Sequence, residues 1–186
     1  MDRSRRTAII VGVLILAAYS VVGSGNPEAK TLGMVLEVIS GLAVIAIAVI
    51  MFPIFKSYNK KGSYWYIISR VIEGALLIIT GFLYLSHTSQ ALEYHSGIHA
   101  AHGYIFAIAA LIFYYLLYQS KLVPRWLSVW GMIGAILVVA VSLLEATGLI
   151  SEMLILRLPI VLNELVLAIW LIVRGFSKSE IASTSA

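Results

Sequence analysis

Apolar residues run almost unbroken through six stretches of this chain, and short polar links separate them. The stretches lie approximately at 7–23, 27–52, 64–85, 97–118, 126–147 and 158–174. A hydrocarbon layer roughly 30 Å thick takes about 20 helical residues at 1.5 Å each, so each stretch suits one crossing. None alternates with period two. Inside lipid every backbone N–H and C=O must be satisfied within its own span, which a helix does and an unpaired strand does not. The pattern therefore predicts an all-α fold, a single polytopic bundle of six transmembrane helices.

Punctuation marks several ends. Asn26, Pro27 and Glu28 suit a helix start, with Asn as N-cap, Pro at the first helical position and an acid near the positive end of the dipole. Pro53 ends or kinks helix 2, and Pro159 either starts helix 6 or kinks a longer helix beginning near Ile150. The links Lys56 to Ser63 and Gln119 to Arg125 are short, so consecutive helices should be antiparallel neighbours.

If six helices alternate, Arg3, Arg5, Arg6, Lys56, Lys60, Lys61, Lys121, Arg125, Arg174 and Lys178 share one side, whereas Lys30 and Arg157 fall on the other. Excess Lys and Arg mark the cytoplasmic side, so both the N-terminus and the C-terminus are expected to be cytoplasmic. Trp65, Trp126, Trp130 and Trp170 gather toward the same side, where amphipathic rings anchor at headgroup level. A cleaved signal peptide is the rival reading of the N-terminus. It is disfavoured because the apolar run is long for one, lacks an Ala-x-Ala site, and its removal would upset the charge alternation.

Composition agrees: 61% of residues are hydrophobic and 12% charged, with a mean hydropathy of +0.97, more apolar surface than a soluble core could hide. The formal charge of +4 is accounted for by loops facing anionic lipid, and no nucleic-acid partner is expected. The chain has no cysteine, which excludes disulfides, thiolate catalysis and cysteine-ligated metal.

A charge in hydrocarbon costs several kcal/mol unless paired, hydrated or neutralised, so the ionisable residues inside the spans are the functional candidates. Counted from the outer ends, Glu37 and Glu164 lie about 10–15 Å in and Glu145 closer to the surface, so these three share the outer half. Glu73 lies nearer the cytoplasmic side, with Arg70 one turn earlier on the same face. That pair is either an internal ion pair or an arginine that snorkels outward beside a protonated carboxyl. Asn163 adjoins Glu164, and Arg157 lies two turns before it on a similar face.

All four histidines fall between His87 and His102, and His95, His99 and His102 follow an i, i+4, i+7 spacing. A zinc ion, or another borderline divalent cation, takes two ligands one turn apart and a third from elsewhere, which one stripe meets only in part. If helix 4 starts after Gly97, His95 leaves the stripe. The histidines then either hold a metal in an outward-facing pocket with one glutamate as ligand and another as base, or meet water and lipid phosphate at the headgroups. Haem is not expected, because His87 alone could oppose helix 4. Retinal is not expected either, because no lysine lies in the interior of a span.

Three runs suggest a family: Arg-Val-Ile-Glu at Arg70 to Glu73, LYQSKLVPRWLSVWG from Leu117 to Gly131, and LPIVLNELVLAIWLIVRGF from Leu158 to Phe176. Together they resemble the bacterial and archaeal integral membrane proteins grouped as domain of unknown function 4386. The resemblance implies six helices in a prokaryotic plasma membrane and leaves the activity open. It picks out Arg70, Glu73, Pro124, Arg125, Trp126, Trp130, Gly131, Glu164, Trp170 and Gly175 as signature positions, and the histidines lie outside it.

Two function classes follow. The favoured one is a binding, transport or sensing bundle with a polar intramembrane site of Arg70, Glu73, Glu164, Asn163, Glu37 and Glu145, taking a small apolar or cationic ligand. The alternative is a metal-dependent hydrolase that uses the outward histidines. Gly33, Gly41 and Ala48 on helix 2, and Gly131 with Ala135 on helix 5, allow close helix approach and equally suit a homo-oligomer interface.

Overall fold

The computed structural model describes residues 2–21, 30–83, 89–149 and 154–177. It contains α1 (Arg3–Ala18), α2 (Lys30–Tyr58), α3 (Lys60–Leu83), α4 (Ser89–Ser120), α5 (Arg125–Ala146) and α6 (Leu154–Val173), with no strand among the described residues. Six helices are long and apolar enough to cross a membrane. Their surface agrees with that environment: Leu32, Leu42, Val49, Ile68, Ile136 and Ile169 face outward, while Glu37, Arg70, Glu73, Asn163 and Glu164 are buried. A water-soluble fold would place these sets the other way round. The protein is a multi-pass membrane protein.

Each helix packs on the next in sequence, and α1 also packs on α6, so the six close into a ring. Glycines draw the neighbours together. A Cβ on Gly41 of α2 would stand 2.6 Å from the Gly74 carbonyl of α3, and one on Gly74 would stand 2.6 Å from the Gly41 carbonyl. Gly12 of α1 lies as tightly on α6, where its Cβ would meet the Ala168 carbonyl at 2.8 Å. On α5, Gly131 leaves room for the Tyr114 ring of α4.

The start of α1 and the end of α6 meet at one end of the ring, together with most of the described basic residues. Arg5 donates from Nη2 to the carbonyls of Ile172 and Val173, both at 2.8 Å, capping the negative end of α6. Gly175, with φ of +78°, donates to the Trp170 carbonyl and closes that helix. The Ser177 amide reaches the Leu122 carbonyl at 2.9 Å, tying the last described residue to the α4–α5 link. Trp126 packs beside Trp130 and edge-on to Trp170 at the same level.

Several helices run past the apolar stretches that announce them, because hydropathy marks the edge of the bilayer and not the last hydrogen-bonded turn. α2 continues through Pro53 to Tyr58, so Pro53 does not end it; the proline lacks only the N–H that would meet the Val49 carbonyl. The link expected from Lys56 to Ser63 shrinks to Asn59. That residue starts α3 as an N-cap, its Oδ1 accepting from the Gly62 amide at 2.8 Å. α6 begins before Pro159, which lies inside it. α4 starts at Ser89, ahead of Gly97, so His95, His99 and His102 share one continuous helix. The Asn26–Pro27–Glu28 start, Lys178 and His87 lie outside the described residues.

Candidate functional site

The ring encloses a cavity of about 250 Å³ to which all six helices contribute. Most of its wall is apolar, from residues such as Ile15, Val44, Leu77, Val138 and Ile160. Set into that wall are Tyr19 at the C-cap of α1, Arg70 and Glu73 of α3, His99 and His102 of α4, and Arg157 and Glu164 of α6. Toward the basic end, Phe55, Tyr66, Phe113 and Tyr114 form a floor of buried rings with centroids 5.4–5.9 Å apart in successive contacts. The Arg70 guanidinium rests on it, 5.7 Å from the Tyr66 centroid and 5.8 Å from that of Phe113.

Each interior carboxylate meets a different partner. Arg70 Nη1 donates to both oxygens of Glu73, at 3.1 and 3.0 Å, so the arginine pairs inside and does not snorkel outward. His102 approaches the same carboxylate, with Nε2 3.9 Å from Oε1. The Tyr19 hydroxyl donates to Glu164 Oε2 at 2.6 Å, joining α1 to α6. No cation stands within salt-bridge distance of Glu164 among the described residues. His95 Nε2 lies 3.0 Å from Glu37 Oε1, bridging α4 and α2. Glu145 pairs with Arg157 between α5 and α6.

The candidate set thus divides. Arg70, Glu73 and Glu164 face one cavity with His99 and His102. Asn163 does not join them, because its Nδ2 is spent on the Leu127 carbonyl of α5, at 2.9 Å, within a buried helix contact. Glu145 stands apart, holding Arg157, and Glu37 belongs with the histidines. Glu73 sits within reach of His102, so a simple division into an outer trio and a cytoplasmic fourth glutamate does not describe their grouping.

Nor do the three histidines converge on one point. Their rings form a ladder along α4, with centroids 5.6 Å apart from His95 to His99 and 5.5 Å from His99 to His102. An i to i+7 pair is separated by about 10 Å along the axis, too far for one ion. Donor atoms of His95, His99 and Glu37 instead lie within 4.8 Å of one another, the one such cluster among the described residues that could hold a metal ion.

The family model described as a domain of unknown function (DUF4386) matches residues 7–175. The chain belongs to the DUF4386 family. No curated protein and no solved structure matches it. In this DUF4386 chain the Arg70–Glu73 pair and Glu164, singled out by the sequence runs, line the cavity, whereas Trp126, Trp130 and Trp170 cluster at the basic end. Tyr19, Tyr66 and Tyr114 were not legible as part of the polar interior, since an aromatic residue in an apolar span reads as packing. The Tyr19 hydroxyl could have been suspected only by asking what a buried carboxylate on a facing helix would need.

Proposed function

We propose that this protein binds a small, largely apolar molecule carrying a cationic group in the central cavity, as a binding, transport or sensing bundle. One observation carries the reading: Glu164 faces a mostly apolar chamber, bonded to the neutral Tyr19 hydroxyl and with no cation within salt-bridge distance among the described residues, while Arg70 and Arg157 are matched by Glu73 and Glu145. A carboxylate so placed has no direct ion-pair partner among the described residues, and a ligand ammonium would supply one while its apolar part fills the chamber. The basic end would face the cytoplasm of a prokaryotic plasma membrane, by the charge asymmetry of the loops. A metal-dependent hydrolase is the second reading, favoured by the gathering of Glu37, His95 and His99 alone.

The test uses tetraethylammonium, a compact cation with an apolar surface, against full-length protein in mild detergent. Saturable binding is expected, weakened at least about tenfold by Glu164→Gln, the loss of a buried charge pairing. Lys61→Gln, exposed on α3 and outside the cavity wall, is expected to bind as the parent does. Equal binding by Glu164→Gln and the parent, or no saturable binding, overturns the reading.

A further inference from the structure

The geometry of α2 and α4 points to a second site: we propose that Glu37, His95 and His99 bind one zinc ion. The inference goes beyond the cavity's occupant and does not depend on it. His95 and His99, four residues apart, present imidazoles on one face of α4, with their rings stacked at 5.6 Å. Glu37 supplies the third donor from α2, a helix in slight contact with α4, with α3 packed on both. Two imidazoles one helical turn apart and a carboxylate from a separate element make a recurrent zinc donor set.

The distances are within reach of that assignment. Tetrahedral zinc with ligands at roughly 2.1 Å holds its donor atoms about 3.4 Å apart. The Glu37–His95 pair already stands at 3.0 Å, and no separation in the trio exceeds 4.8 Å. Closing even that distance asks for little more than an ångström, a side-chain adjustment.

Chemistry narrows the ion. Two nitrogens and one oxygen are a poor set for calcium or magnesium, which take oxygen, and for copper(I), which takes sulfur. The Glu37 side chain is wholly buried, and a divalent ion offers it a countercharge while ligating neutral imidazoles. Three protein ligands leave a fourth position for water or a ligand group. His99 is also part of the cavity wall, so an ion held here stands at the cavity's edge. Arg70, which shares Glu73 with the neighbouring His102, is engaged there and does not compete for the trio.

The test is zinc titration of full-length protein purified without a histidine tag and stripped by chelator, with cobalt(II) as a spectroscopic stand-in. One zinc per chain is expected, with a raised Tm and, for cobalt, the intense visible bands of a four-coordinate ion. Glu37→Gln, His95→Ala and His99→Ala should each weaken binding at least about tenfold, since ligand losses exceed the 10–100-fold effects of outer partners. His102→Ala, which turns to Glu73, should stay within about twofold of the parent. Less than one ion per chain in the parent, absent cobalt bands, or undiminished affinity in Glu37→Gln overturns the proposal. None of these outcomes bears on tetraethylammonium binding, so the two readings fail separately.

Discussion

At the basic end, backbone groups left over by the helices are taken up by caps: Asn59 caps α3, Arg5 reaches from α1 to cap α6, and Gly175 closes the same helix. Toward the other end, side chains pair with interior carboxylates on other helices: His95 with Glu37, His102 with Glu73, Tyr19 with Glu164 and Arg157 with Glu145. Caps sit where headgroups and water can replace them, so losing one costs about 1 kcal/mol. Interior pairs have no such substitute, and removing half of one leaves a bare charge at about 3–5 kcal/mol. The floor of Phe55, Tyr66, Phe113 and Tyr114 divides the two regimes, and Arg70 sits at the boundary.

Glu73→Leu should therefore be the most damaging single change, because Arg70 stays buried with its ion-pair partner removed. A loss of about 3–5 kcal/mol is expected, read as unfolding in detergent by heat or denaturant. Combining it with Arg70→Leu should restore most of that loss, since the bare charge goes too. A single-variant cost near that of a cap would mean that water reaches the pair, and the contrast between the ends would collapse.

Next in size is Gly41→Val, which drives a side chain into the Gly74 carbonyl. Overpacking of this kind costs about 1–3 kcal/mol, and the seam it opens holds Glu37 and Glu73 in place from α2 and α3. Stability should fall, and cross-linking between cysteines placed on either side of the seam should slow. Unchanged cross-linking would show that the charged half does not need the seam.

The same contrast explains what could be read from the residues alone. Bilayer thickness imposes a length on every span, so six membrane-capable helices are written in the apolar stretches, and the i, i+3 spacing puts Arg70 and Glu73 together without knowledge of any neighbour. Asn59 was hidden inside a polar link because a cap depends on where the last turn ends, which hydropathy does not report. The pairing of His95 with Glu37, and of His102 with Glu73, depends on helix rotation and on which helices adjoin. Depth counting brings Glu37 and the histidines to similar levels but does not choose among them. Extending α4 back to Ser89 is what keeps His95 on the helix, and the polar residues before Gly97 carry no apolar signal of that extension.

The smallest effect separates two bonds made by one residue. Asn59 accepts from the Gly62 amide through Oδ1, and its Nδ2 donates to Gln119 Oε1 at the end of α4, 2.9 Å away. Asn59→Ala removes both and should cost about 1 kcal/mol, the usual worth of a cap. Asn59→Asp keeps an acceptor for the helix start and adds negative charge where the dipole favours it, while losing the donor to Gln119. If this end is held by local caps, Asp should recover nearly all of the loss, because an exposed bond between side chains contributes little. If Asp is as unstable as Ala, the bond across to α4 is what matters, and the basic end relies on inter-helix pairing as the opposite end does.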